Sequence, residues 1–493
     1  MKHSPLTTRT LLALYCALAV AISHAQGTTM DANVQQLNYH NHDFALRLLQ
    51  QLDHPDNLVF SPYSINQALN MTYAGARGQT ASEMARVLGI ANLEQDIHAS
   101  NGVLYDFLRT GSPPLRSGLA DQTASQNQEG DPIPPNNPAL EGQAPVTSRA
   151  GQVSPIQTQA DDTGLRPRGP REAPEDASKH YQFSVANALW AQIDYPFLIE
   201  YANFIQRNYG AAVANLDFRN NSEVARLHIN RYVAEKTQNT IQDLLSPRDI
   251  TRDTQLVITN AIYFKAAWSH TFPERQTHQA PFYLLDGRST GVEMMRQTST
   301  LPYSRTADFQ LVELGYETTT NRFLSSPNIS MYLLLPDSGK FAEVLGRLQV
   351  DELYRAFDAL EAERLELSLP KFHFDSPMQL SQALAAMGMP TAFSPFHPLG
   401  ECASSATGNG SGADFSGMDG TRCLVISDVI HQAFIDVNEH GSEAAAATAV
   451  IMMTRTSLPL APRNVTFDRP FIFMIRDKVS GSLLFLGQVT HPE

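Results

Sequence analysis

The sequence predicts an α+β domain in which helices pack on a large, mainly antiparallel sheet. Three observations predict it. Helical periodicity is concentrated early in the chain, strand-like runs rich in β-branched and aromatic residues gather late, and no phosphate-cradling glycine loop is present to suggest a doubly wound nucleotide fold. With 493 residues, 42% of them hydrophobic and 17% charged, the chain can bury one large core or two modest ones. Its formal net charge of −14 repels nucleic acid and anionic membranes as electrostatic partners.

The first element is a targeting segment, 1–25. Lys2 and Arg9 give a basic start, Leu11 to Ile22 an apolar run too short to span a bilayer, and Ser23-His24-Ala25 ends on small residues at the positions a signal peptidase reads. The mature chain, 26–493, is therefore expected to begin near Gln26 as a single exported domain: secreted, or periplasmic in a Gram-negative host. Cys16 leaves with the signal. Cys402 and Cys423 remain, closing a Gly/Ser-rich loop; in an oxidising compartment they can pair, or they are two buried, inert thiols.

Leu37, Phe44, Leu48 and Leu52, with Ala45 and Leu49, form the stripe of an opening helix. In GQTASEMARVLGI, Thr80 and Glu83 read as a capping box starting a second helix with Met84, Val87 and Leu88 inward. From about Gly111 to Ser178 the chain is rich in Pro, Gly, Gln, Ser and Asp, lacks Phe, Tyr and Trp, and has no periodic apolar face, which predicts a disordered insertion. Its cluster of Arg166, Arg168 and Arg171 can attract a polyanion, although a solvated charge cluster is the simpler reading. Strands are expected at 256–264, 329–336, 365–372, 423–437 and 482–489.

Catalytic constellations are missing from the sequence. There is no HExxH and no CxxC, and GNGSG at 408–412 has Asn409 where a nucleophile elbow needs glycine. No cofactor or metal is expected. His40 and His42, at i and i+2 on a helix, point to different faces and read as solvated or capping residues rather than a ligand pair.

Four ordered motifs identify a family resemblance. NLVFSPYSINQALNMTYAGARGQTASEM, LVITNAIYFKAAWSHTF, DVIHQAFIDVNEHGSEAAAAT and VTFDRPFIFMIRD resemble the serpin superfamily over the whole mature chain except 111–178 and 400–412. The resemblance implies the serpin fold, with smaller sheets beside the large one and an exposed reactive centre loop at 439–463. It also implies a monomer that is not an enzyme but a protease's bait. A serine endopeptidase cuts the loop and is trapped as a covalent acyl-enzyme while the freed loop enters the main sheet as a new strand.

A strand that slides between two packed strands must carry small or apolar residues on its buried face and no charge there. GSEAAAATAV meets this demand. The resemblance makes Glu439, Gly441, Ser442, Glu443, Ala444, Ala445, Ala446, Ala447 and Thr448 the hinge. It turns Ser442, Ala444, Ala446, Thr448, Val450 and Met452 inward, leaving the charge of Glu443 outside. About a dozen new ladder bonds at roughly 1 kcal/mol each stabilise the cut form by something on the order of 10 kcal/mol, so the uncut fold persists kinetically.

Counting fifteen residues from the hinge glycine, as family members do, reaches Arg455 and places the bait bond at Arg455–Thr456. A guanidinium there suits a specificity pocket holding a carboxylate, as in trypsin-like proteases. Cutting after Met452 or Met453 by a chymotrypsin- or elastase-like enzyme is the competing position. SLPLAPRN, 457–464, is a few residues longer than is common downstream. The resemblance further assigns Ser61, Ser64, Asn260 and His431 to a polar cluster beneath the sheet centre, the shutter, and Trp268 to the breach where the loop enters. It gives Glu439 a basic partner that the sequence does not identify. An inhibitor and a non-inhibitory member acting as ligand carrier, storage protein or folding aid both fit the family; the small hinge residues favour the inhibitor.

Overall fold

The leucine stripe near the N-terminus closes on the core as α1 (Ala32–Leu52), burying Leu37, Phe44, Ala45, Leu48 and Leu49. This and all that follows refer to residues 30–52, 54–93, 96–110, 181–317, 328–395, 412–442 and 461–492 of a computed structural model. The targeting segment, the 111–178 insertion with Arg166, Arg168 and Arg171, Cys402, residues 443–460 and thus Met452, Met453, Arg455 and Thr456 lie outside the described residues.

After β1 (Leu58–Phe60), Ser61 starts α2 (Pro62–Gly75): its side chain accepts the Ser64 amide at 3.1 Å, and Pro62 occupies the first turn, where its missing N–H has no partner to lose. α3 (Gly78–Val87) corrects the expected capping box. Its cap is Arg77, without a side-chain bond, so Thr80 and Glu83 fall inside the helix. They serve distant segments instead: Thr80 Oγ1 accepts the Asp414 amide at 2.9 Å, and Glu83 accepts the Thr391 amide and hydroxyl at 3.0 and 2.8 Å. Tertiary partners outcompete the local cap. His42 is a second correction. It is buried rather than solvated, taking the Leu483 amide on Nε2 at 3.2 Å and meeting the Tyr354 hydroxyl at Nδ1, and burial pushes its pKa down to about 3.

The remaining elements are α4 (Ile97–Thr110), β2 (Tyr181–Gln192), α5 (Ile199–Tyr209), β3 (Ala212–Leu216), α6 (Phe218–Lys236), β4 (Leu256–Ala267), β5 (His278–Tyr283), β6 (Ser289–Arg305), β7 (Phe309–Gly315) and β8 (Ile329–Pro336). α7 (Phe341–Arg347), α8 (Val350–Asp358), β9 (Glu361–Pro370), β10 (Phe372–Gln379), α9 (Ser381–Ala386), α10 (Ser416–Asp419), β11 (Ile426–Val437), β12 (Gly441–Ser442), β13 (Arg463–Thr466), β14 (Phe471–Asp477) and β15 (Leu483–Val489) complete the chain. The run expected at 365–372 divides at Lys371: β9 belongs to one sheet and β10 to the other.

One sheet of nine strands runs β1-β15-β14-β8-β7-β6-β9-β13, with β5 on β6; the other, of six, runs β10-β11-β12-β4-β2-β3. Period-two alternation divides the six-stranded sheet. Ala186, Ala188, Trp190, Val257, Ala261 and Ile430 pack with Phe218, Ile229 and Val233 of α6, while Ile262, Phe264, Ala433 and Ile435 pack on the opposite side with β14 and β15 residues such as Phe473 and Phe485. Both faces of β4 and β11 are therefore apolar, which makes the polar residues in them conspicuous.

Candidate functional site

Three neighbouring strands bring polar side chains level. Asn187 of β2 stands opposite Asn260 of β4, and Asn260 opposite His431 of β11, all on the face turned toward the start of α2. His431 Nε2 accepts the Ser61 amide at 3.1 Å, which leaves the ring proton on Nδ1, where it is donated to Asn260 Oδ1. Asn260 Nδ2 donates to Ser64 Oγ at 2.6 Å and to Asn187 Oδ1 at 2.5 Å, and the Ser64 hydroxyl donates to Asn187 Oδ1 at 2.9 Å. Asn187 Nδ2 returns to the Ser64 carbonyl at 3.2 Å. Ser61, Ser64, Asn260 and His431 are wholly buried, and burial pushes the His431 pKa down to about 3, so the ring stays neutral and can accept on one side and donate on the other. A network this complete joins β4 and β11 by directional bonds that can be exchanged for new ones, whereas interdigitated apolar side chains would have to be unpacked.

β4 and β11 run parallel and pair directly, Leu256–Ile262 against Ile426–Ala433. Beyond those pairs β12 fills the opening: Gly441 stands opposite Ala267, and Ser442 opposite Ala266 on one side and Val437 on the other, antiparallel to both. The chain thus leaves the end of β11, reverses through Asn438–His440, and re-enters the same sheet between β11 and β4. The Asn438 amide closes the turn on the Gly441 carbonyl at 3.0 Å, and Asn438 Oδ1 accepts the His440 amide at 3.0 Å. A Cβ on Gly441 would sit 2.1 Å from the Ala266 carbonyl oxygen, so only glycine permits this approach. Ser442 is buried with its Oγ 2.7 Å from the Tyr316 hydroxyl, and Tyr316 stacks on Trp268 with ring centroids 4.5 Å apart. Trp268 in turn donates its backbone N–H to the His440 carbonyl at 2.8 Å and its indole N–H to the Asn438 carbonyl at 2.9 Å.

Glu439 has its basic partner in Lys371, at the crossing between the two sheets: Nζ lies 2.9 Å from Glu439 Oε1 and 3.0 Å from Glu293 Oε2. Thr277 donates its hydroxyl to Glu439 Oε1 at 2.7 Å. Burial pushes the Glu439 carboxyl up, but the Thr277 and Lys371 hydrogen bonds and the lysine charge outweigh it and hold the pKa below the ordinary value.

Of the residues singled out in the sequence, Ser61, Ser64, Asn260 and His431 meet in the polar row, and Trp268, Glu439, Gly441 and Ser442 meet at the turn. Glu443 to Thr448 lie outside the described residues. Cys423 is disulfide-bonded, and Cys402 lies outside the described residues. Sequence reasoning missed Asn187, Tyr316, Thr277 and Lys371. For Asn187 a signal exists, an amide in the middle of the apolar segment VANALWA, 185–191. Tyr316 and Lys371 carry none, since only the register of distant strands brings them to the turn. Among the described residues no group of three or more His, Cys, Asp and Glu side chains gathers as metal ligands.

The family model described as Serpin (serine protease inhibitor) matches residues 39–128 and 168–492. The leukocyte elastase inhibitor of Equus caballus is 30% identical over 471 residues, spanning 93% of this chain and 100% of that protein. A serpin-like protein of Thermococcus kodakarensis is 32% identical over 439 residues, 89% of this chain and 81% of its own. Among solved structures, human thyroxine-binding globulin superposes with a TM-score of 0.69 at 22% identity over 94% of this chain and 100% of its own. Serpin48 of the insect Tenebrio molitor does so with 0.66 at 23% identity, over 93% and 99%. The α+β fold is shared with these structures, and the chain belongs to the serpin family of serine protease inhibitors.

Proposed function

We propose that this chain is an exported suicide inhibitor of a trypsin-like serine endopeptidase, cut at Arg455–Thr456. The observation that carries the reading is the position of β12: the hinge has already entered the sheet between β4 and β11, with Gly441 and Ser442 as the first two residues of the strand that insertion would extend. The protease serine attacks the Arg455 carbonyl, the Thr456 amine leaves, and an ester joins the two proteins. The freed segment then zips down between β4 and β11, carrying the esterified enzyme away from its hydrolytic geometry before water can act. The basic N-terminus and short apolar run support export, and the mature chain is read as a monomer with no cofactor.

A second bait position has an observation of its own: the relatives named leukocyte elastase inhibitor favour a cut after Met452 or Met453 by an elastase-like enzyme. One experiment separates the readings. The purified protein is incubated with trypsin, a thrombin-like enzyme, chymotrypsin and elastase, and the released C-terminal peptide is sequenced. An SDS-resistant adduct with a peptide beginning at Thr456 supports the proposal. A peptide beginning at Met453 or Thr454 supports the second reading, and cleavage by every enzyme without an adduct indicates a non-inhibitory member.

A further inference from the structure

The turn that starts the inserted strand is held from one side by the segment running from Trp268 to Thr277. Trp268 and Phe272 donate backbone N–H groups to the His440 and Glu439 carbonyls at 2.8 and 2.9 Å, and Thr277 reaches the Glu439 carboxylate. One further contact differs from these in kind: His440 Nε2 lies 3.0 Å from Glu274 Oε1, with the histidine side chain one-third exposed and the glutamate largely exposed. The other contacts keep their charge state across the neutral to mildly acidic range, because Glu439 is held ionised by Thr277 and Lys371. An imidazole is the side chain whose charge changes in that range.

We propose that His440 is a positioning residue of the hinge, whose bond to Glu274 docks Gly441 and Ser442 more tightly between β4 and β11 in mildly acidic solution. A neutral ring offers Glu274 an ordinary hydrogen bond; an imidazolium offers a charge-assisted one. The turn at Asn438–Gly441 is the reversal that loop insertion would extend, so tightening it favours the nucleus of the new strand. The charged side chain against the ring is Glu274 from the 3₁₀ turn Glu274–Gln276; Glu439, the preceding residue on the turn, is bonded to Lys371, which also meets Glu293. His270 and Arg275 belong to the same flanking segment.

The inference deepens the proposed inhibition, but its test reads the turn and not a protease. Hydrogen exchange at the Trp268 and Phe272 amides, corrected for intrinsic rates, reports opening of the turn. Between about pH 7.5 and about pH 5.5, protection of both amides is expected to rise roughly two- to fivefold in the wild type, as befits a partly exposed ion pair, and to lose that rise in about 1 M NaCl. His440→Gln and Glu274→Gln flatten the profile. His440→Lys, with a constant positive charge, gives the higher protection at both pH values. A wild-type profile that does not rise, or an equal rise in His440→Gln, overturns the proposal even if a variant folds poorly. Failure of the chain to trap any protease leaves these exchange profiles as predicted and counts only against the inhibitory reading.

Discussion

The hydroxyls of Tyr316 and Ser442 lie 2.7 Å apart, both on buried side chains, and Tyr316 is itself sandwiched between the stacked Trp268 ring and the edge-on Phe264 ring. The first inward-facing residue of the loop is thus already bonded to the wall of the sheet. Tyr316→Phe keeps the ring packing and removes one hydroxyl, leaving the buried Ser442 hydroxyl without that partner at a cost of about 1–3 kcal/mol. The expected outcome is a hinge that undocks more readily, seen as faster exchange at the Trp268 amide and as altered Trp268 fluorescence.

Gly441 is the residue on which the close approach to β4 depends. Gly441→Ala places a methyl against the Ala266 carbonyl, so β12 is expected to leave the sheet while α1, α2 and the nine-stranded sheet stay intact. Limited proteolysis of the 439–443 segment, combined with an unchanged far-UV spectrum, checks this. On the proposed mechanism the same variant turns from inhibitor toward cleaved substrate.

If the loop inserts as proposed, continuing the pairing of Ser442 with Ala266 and Val437 by six residues would bring Thr448 opposite Asn260 and His431. An inserted threonine hydroxyl can replace the direct His431–Asn260 bond that insertion must break. Thr448→Asp would bury a charge there, costing several kcal/mol. The expected readout is a larger number of inhibitor molecules consumed per protease trapped, with Thr448→Ser close to the parent.

Lys371 is held by two carboxylates, of which Glu439 is nearly buried and Glu293 largely exposed. Lys371→Met leaves Glu439 without its cation. Because the lysine side chain is 31% exposed and water can partly replace it, the expected loss is about 1–2 kcal/mol, below that of a fully buried pair. A urea unfolding midpoint measures it.

Acid acts on the two buried histidines. His42 and His431 have folded pKa values of about 3, so the unfolded chain binds more protons wherever the pH lies below the ordinary histidine value. Their contribution to stability is complete above about pH 6.5. It falls by about 1.4 kcal/mol per pH unit for each ring as the pH drops toward about 3. The raised carboxyls of Asp428 and Asp477 oppose this, because burial makes them take up protons before the unfolded chain does as the pH falls. Urea midpoints between neutral pH and about pH 4.5 are expected to decline, and His42→Gln to reduce the slope by about half.

Much of this was legible in the sequence because it is local or periodic. The Leu37–Leu52 stripe of the opening helix and the strand runs at 256–264 and 329–336 follow from side-chain size, branching and spacing. What stayed hidden depends on register between distant strands. Lys371 is an unremarkable lysine until β9 and β10 turn it toward Glu439, and Tyr316 becomes a hinge contact only because β7 ends beside Trp268. Thr80 and Glu83 show the converse: a correct local pattern whose polar atoms were taken by segments more than 300 residues away.

The central claim is that the loop can occupy the gap between β4 and β11 once it is cut, and thermal unfolding of the nicked protein tests it most directly. After cleavage at Arg455–Thr456, the midpoint is expected to rise by something on the order of 20 °C, reflecting about 10 kcal/mol of new strand pairing. A nicked chain that unfolds at the same temperature as the intact one would contradict the account.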